Sequence, residues 1–267
     1  MRYFIFSLQL FLCINFVHSQ TSQNLYKILY DIKYLVDTNK SEVLNEQGVL
    51  FVEKNKSYFL TKTADQRDSI FHFNNRPIDY HANIKSKVLR VVKNHDNRSI
   101  FHYVQFLPGP MFNTTEEMDS LNWNILTDTM TIYNYKCQKA SLEYRGNTWW
   151  AWFALDLPIA DGPYKFCGLP GLIIKMENLK GNWSFDLSSI SIEKNRFLNL
   201  SFLEKSKQVS YQELLKESDS WKYNRIERVE ATGMIKYEPN ERLNFIKLNL
   251  ERIKKENNDI EVGLMHY

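Results

Sequence analysis

The sequence predicts a mainly β chain of the β-rich α+β kind: one antiparallel, strongly curved sheet or half-open barrel, partly covered by one or two C-terminal helices. Three observations carry this. Short runs of alternating apolar and polar residues recur from residue 24 to residue 192, separated by turn residues. Tyr, Phe and Trp make up 14% of the chain, and aromatic residues suit a pleated, half-buried surface. Helical spacing takes over only after residue 210.

Residues 1–19 place Arg2 before an apolar run from Tyr3 to Val17, with a cleavage position after Ser19, the pattern of a signal peptide that is removed. The run is shorter than the roughly 20 residues of a spanning helix, and no later stretch approaches that length. The chain is therefore expected to be exported, to the periplasm, the outer membrane's surface or the medium, as one domain over residues 20–267 with no transmembrane segment. Its formal charge is +3, and Arg2 would leave with the signal. So balanced a charge gives no reason to expect a nucleic-acid partner.

Asn24 to Asp37 sets Tyr26, Ile28, Tyr30, Ile32, Tyr34 and Val36 on alternate positions, which predicts a long strand. Val49–Glu53 with Ser57–Thr61, and Val88–Lys93 with Ser99–Gln105, read as two hairpins. Between them Ala64 to His81 is polar and contains Arg76-Pro77, a loop with a short irregular element. Pro108 and Pro110 interrupt ladder pairing. Thr131–Cys137, Gln138–Arg145, Thr148–Leu157, Leu172–Asn178 and Trp183–Ile192 form a predicted meander, with turns at Arg145-Gly146-Asn147 and Lys180-Gly181-Asn182. The strand Thr148–Leu157 is apolar on both faces and is expected to lie centrally, covered on both sides. Ser210-Tyr-Gln-Glu213 is a capping box opening a helix to about Lys216. Glu241 to Lys255 spaces Leu243, Ile246, Leu250 and Ile253 for a second helix lying on one sheet face.

The stretch Gly162-Pro-Tyr-Lys-Phe-Cys-Gly-Leu-Pro-Gly-Leu-Ile-Ile-Lys175 stands apart. Pro163 and Pro170 fix φ, while Gly162, Gly168 and Gly171 open conformations closed to other residues. A rigid corner between buried strands, pinned by Leu169, Leu172 and Ile173, is the first reading. A cradle for a ligand or partner, using Lys165 and Phe166 as well, is the second.

Gly168-Leu-Pro-Gly-Leu-Ile173 spells the motif of the GLPGLI family, and the blocks around it follow in order: Tyr135-Lys-Cys-Gln-Lys-Ala140, Tyr144-Arg-Gly146, Ala151-Trp-Phe153, Pro158-Ile159 and Gly162-Pro-Tyr-Lys-Phe166. Over roughly Trp123 to Asn178 the chain resembles these secreted Bacteroidetes proteins, whose biochemical role is uncharacterised. Asn258-Asp-Ile-Glu261 is similar to the family's terminal Asn-Pro-Ile-Glu, with Asp259 departing from it. The resemblance implies a single GLPGLI-type domain after the signal. It also implies an outer-membrane TonB-dependent transporter as partner, since such transporters are often encoded beside family members.

No nucleophile elbow, phosphate loop or dinucleotide fingerprint occurs, and no cofactor is expected. His72, His81, His95 and His102 fit no metal-site spacing. Cys137 and Cys167 are either a disulfide closing a loop of about 30 residues, a gain of ~3–4 kcal/mol, or two buried thiols. Cys167 has no adjacent base to make it a nucleophile. Glu116-Glu117 and Asp156/Asp161 are carboxylate pairs of an ordinary kind. Lys136, Lys139 and Arg145 form a basic cluster beside aromatics, suited to an anionic headgroup or a sugar. The leading expectation is a non-enzymatic envelope protein binding a hydrophobic ligand or an envelope partner. A hydrolase built on a carboxylate pair and a structural assembly protein are the alternatives, the second to be recognised by an exposed sheet edge.

Overall fold

The computed structural model of the chain describes residues 25–67, 87–106, 109–193, 200, 203–233 and 235–264. The signal-peptide reading of residues 1–19 and most of the Ala64–His81 connection lie outside them. The first strands are β1 (Leu25–Leu35), β2 (Val43–Val52), β3 (Lys56–Thr61), β4 (Arg90–Asn94), β5 (Ser99–Gln105) and β6 (Met111–Glu117). The meander follows as β7 (Asn124–Ile132), β8 (Tyr135–Tyr144), β9 (Asn147–Ala154), β10 (Leu172–Asn178) and β11 (Trp183–Glu193), with a short β12 (Ser206–Gln208). Three helices close the chain: α1 (Tyr211–Tyr223), α2 (Arg225–Ala231) and α3 (Pro239–Lys255).

All twelve strands form one sheet, ordered β12-β6-β5-β4-β3-β2-β1-β11-β10-β9-β8-β7. Only β12 with β6 is parallel. Sequential hairpins build two meanders, and β1 joins them by pairing with β11, from Leu25 opposite Glu193 to Tyr34 opposite Trp183. The sheet is open, yet it bends far enough for its two ends to meet. Tyr144 on β8 donates to Glu116 on β6 at 2.7 Å although eight strands separate them.

The concave face carries the core. Ile28, Tyr30, Ile32 and Tyr34 of β1 are at most 2% exposed, as the alternation predicts. They pack with Leu50, Phe59, Val91, Ile100, Trp149, Ala151, Phe153 and Phe185. Tyr58, Leu60, Val92 and Tyr103 point the other way, into a smaller cluster with Phe51 and Met111. Helix α1 begins at the predicted capping box, where Ser210 Oγ accepts from the Glu213 amide at 3.2 Å and Glu213 Oε2 accepts from the Ser210 amide at 2.8 Å. It buries Leu214, Ser218 and Trp221, and Trp221 stacks on Phe106 beside the concave face.

Four expectations need correction. Strand β6, Met-Phe-Asn-Thr-Thr-Glu-Glu, was not expected, because its outer end is polar and it follows prolines. The boundary drawn between strands Thr131–Cys137 and Gln138–Arg145 is displaced: the chain turns at Tyr133-Asn134, both with positive φ, of 49° and 70°, as a tight hairpin requires. Strand β9 is covered by core on one face only. On the other, Trp150 and Trp152 are half-buried, with the Lys139 ammonium 3.1 Å from the Trp150 ring centre. Helix α3 forms where predicted, but Leu243 and Leu250 are 67% and 46% exposed while Asn249 is buried and donates to Lys222 O in α1. It rests on its neighbouring helices rather than laying that stripe on the sheet.

Candidate functional site: a loop locked into the concave face

Residues 155–171, between β9 and β10, run back across the concave side. Their own backbone bonds shape them: Gly168 N–H reaches Ala160 O at 3.1 Å, Leu172 N–H reaches Leu157 O at 3.0 Å, and Ile173 N–H reaches Asp161 O at 3.0 Å. Gly168 has φ +90°. A Cβ at Gly171 would stand 2.1 Å from Ala154 O, so any other residue would push the loop off β9. Pro163 and the apolar side chains Tyr164, Phe166, Leu169, Leu172 and Ile173 are buried, and only Gly168 and Pro170 of the motif are exposed. Phe166 sits among Trp149, Tyr144, Tyr164 and Trp123, with ring centres 4.9 to 6.4 Å away. Burying such a side chain contributes about 1.5–3 kcal/mol. The loop is thus part of the core, filling the concavity that the fold creates.

Two ionic clusters fasten it. Lys93, pointing inward from β4 and fully buried, bonds the Asp161 carboxylate and donates to Gly162 O at 2.7 Å. His95 Nε2 lies 3.1 Å from the other Asp161 oxygen. Burial disfavours the Asp161 carboxylate, but Lys93 and His95 outweigh it and hold its pKa down to about 2. The second cluster centres on Lys165, fully buried, 2.8 Å from Glu116 and 2.5 Å from Glu261. The Tyr164 hydroxyl donates to Glu261 and lies 3.3 Å from His102 Nε2, and Tyr144 donates to Glu116. Burial, with the Glu261 carboxylate close by, pushes the Tyr164 and Tyr144 hydroxyls well above their ordinary pKa.

The structure therefore brings together residues that the sequence left scattered. Lys165 meets Glu261 of the terminal Asn-Asp-Ile-Glu, and Glu116 and Asp161, read as ordinary carboxylates, belong to the two clusters. His95 and His102, read as unremarkable, both face the loop, while His72 and His81 lie outside the described residues. Lys136, Lys139 and Arg145 do not act as one cluster: Lys139 covers Trp150, whereas the Arg145 guanidinium lies 3.7 Å over the Tyr211 ring. Cys137 and Cys167 are both buried free thiols, so the disulfide that export would allow is not formed. Burial pushes the Cys167 thiol up to about 12, the opposite of what a nucleophile needs.

The carboxylates Glu116 and Glu261 share Lys165 and accept from Tyr144 and Tyr164, so both clusters fasten the loop to its surroundings. Among the described residues no group of His, Cys, Asp and Glu could hold a metal, and no helix is long and apolar enough to cross a membrane.

A family model described as "Protein of unknown function (Porph_ging)" matches residues 143–175, the stretch from the end of β8 through the loop into β10. No curated protein matches the chain. Two solved structures of PNGF-II, in C2 and P21 crystal forms, align with TM-scores of 0.51 and 0.50 at 14% and 15% identity, each over 71% of this chain and 32% of theirs. A LolA superfamily protein, NE2245 from Nitrosomonas europaea, aligns with a TM-score of 0.28 at 10% identity, over 66% of this chain and 88% of its own. The chain spans about a third of the length of the PNGF-II structures it matches, and at such identity that likeness is one of fold. The loop locked into the concave face, residues 155–171, lies within the segment that the family model matches.

Proposed function

We propose that the chain is a non-enzymatic GLPGLI-family protein of the cell envelope that binds another envelope protein through the free edge of its sheet. One observation carries the reading, the exposed sheet edge by which the structural assembly alternative was also to be recognised. Strand β7 ends the sheet among the described residues, and seven of its nine positions are exposed, Ile125 and Met130 at 47% each. Sheet edges are usually guarded by lysine, proline or a bulge. This one has no lysine or proline, only Asp128 and the register shift between Ile125 and Thr129. An extended segment of a partner would add to it as a further strand, taking affinity from main-chain bonds. The outer-membrane transporter that the family resemblance implies is the first partner to try. The corner reading of the loop fits this proposal, since it stiffens the meander that presents β7.

The test is photo-crosslinking in living cells from p-benzoylphenylalanine at Thr127 or Thr129, with exposed Lys33 on β1 as the control position. A discrete adduct from the β7 positions alone is expected. Adducts equally strong from Lys33, or none from β7, would overturn the proposal.

A second reading is a carrier for a hydrophobic ligand. The aromatic lining formed by Tyr30, Phe59, Trp149 and Phe185 favours it, because displacing the loop would uncover a concave apolar surface. Native mass spectrometry of the protein from its own periplasm tests this, and a mass equal to the bare polypeptide would count against it.

A further inference from the structure

We infer a second binding site, independent of β7 and of the loop, that takes a neutral polyhydroxylated ligand, a sugar unit. It is a cavity of 420 Å³ where the ends of β1, β9 and β11 meet the C-terminal segment 257–263, large enough for a small ligand. Its walls are built rather than incidental. Asn258 Nδ2 donates to Leu35 O at 2.6 Å and to Asn182 O at 3.2 Å, Asn147 Nδ2 donates to Ile260 O at 3.2 Å, and Asn182 Oδ1 accepts from Asn178.

These three asparagines are 7–8% exposed, and each spends half of its amide on the protein. The other half, Asn147 Oδ1, Asn258 Oδ1 and Asn182 Nδ2, makes no hydrogen bond with the described residues, and all three asparagines line the cavity. Two open acceptors and an open donor on one wall repel an anion at two points out of three, whereas a hydroxyl, which both donates and accepts, suits all three. Lys180, also in the lining, supplies further donors, the Asp259 carboxylate adds an acceptor that disfavours an anion, and Leu35 and Val262 add apolar residues.

The variant Asn182→Asp isolates the site. It keeps an oxygen that can accept from Asn178 and exchanges the open donor for an acceptor that carries negative charge. Saturation-transfer NMR and calorimetry with glucose, galactose, mannose and N-acetylglucosamine on the mature protein are expected to show binding of at least one. Asn182→Asp should weaken it by about tenfold or more, the scale of one lost hydrogen bond beside an unpaired group, and Lys180→Trp, which crowds the lining, should abolish it. Lys180→Trp should melt as the parent does, and Asn182→Asp, which buries a carboxylate, should melt lower but remain folded at the temperature of the binding assay. Binding of none of the four sugars, binding that neither variant alters, or inorganic phosphate binding tighter than every sugar would each overturn the inference.

Discussion

Lys165 and Glu261 lie 2.5 Å apart with no exposed surface on either side chain, although 95 residues separate them in the chain. Lys165 also holds Glu116, so the two partners are not equivalent. Replacing Lys165 by Met leaves two carboxylates facing each other without a cation and should cost about 3–5 kcal/mol. Glu261→Gln leaves Lys165 with Glu116 and should cost less. Urea unfolding of both variants gives the comparison, and equal losses would contradict a shared lysine.

The two central glycines of the motif should respond differently to alanine. At Gly171 the new Cβ meets the Ala154 carbonyl oxygen, an overpacking that backbone movement must relieve, so about 3 kcal/mol is expected. At Gly168 there is open space and only the positive φ to accommodate, so about 1–2 kcal/mol is expected. Thermal melts of the two variants rank them.

Acid should release the loop in a definite window. The Asp161 carboxyl has a folded pKa of about 2 against about 3.9 when unfolded. The unfolded state therefore binds the proton first, and stability falls as pH drops. The contribution, about 2 kcal/mol, is fully present above pH ~4 and lost progressively towards pH ~2. Asp161→Asn, less stable at neutral pH, should show a flatter profile between these limits. A profile parallel to the parent's would assign acid sensitivity to other carboxyls.

Both thiols should be silent in the native protein. Cys137 and Cys167 are 1% exposed and burial raises both pKa values. A thiol reagent at pH 8 should label neither within minutes and both in denaturant. Rapid native labelling of Cys167 would mean that the loop opens readily, which would revive the carrier reading.

The sequence made the meander legible where chemistry was local. Strand β10 spans Leu172–Asn178 as predicted, and the Arg145-Gly146 and Gly181 turns carry the glycine that positive φ favours. Tyr133-Asn134 bends as tightly with no glycine to announce it, so the hairpin was displaced. Strand β6 owes its pairing to β5 and not to its own composition, and helix α3 chose its resting face by where α1 lay. The candidate site was legible only as a motif. That Lys165, a charged residue in an apolar loop, would need a buried anion follows from desolvation alone. Which of the chain's acidic residues supplies it is decided by long-range topology that no local pattern records.

The pairing of β1 with β11 has a consequence for how the chain is made. A ribosome adds about 5–20 residues per second, so one flank of β1 waits on the order of ten seconds before Trp183 to Glu193 exist to cover it. The final anchor, Glu261, emerges last of all. Until then Lys165 has only Glu116 of its two carboxylates. Contacts this distant in sequence form slowly, so the sequential hairpins can pair early while the second meander and its C-terminal anchor complete the core last.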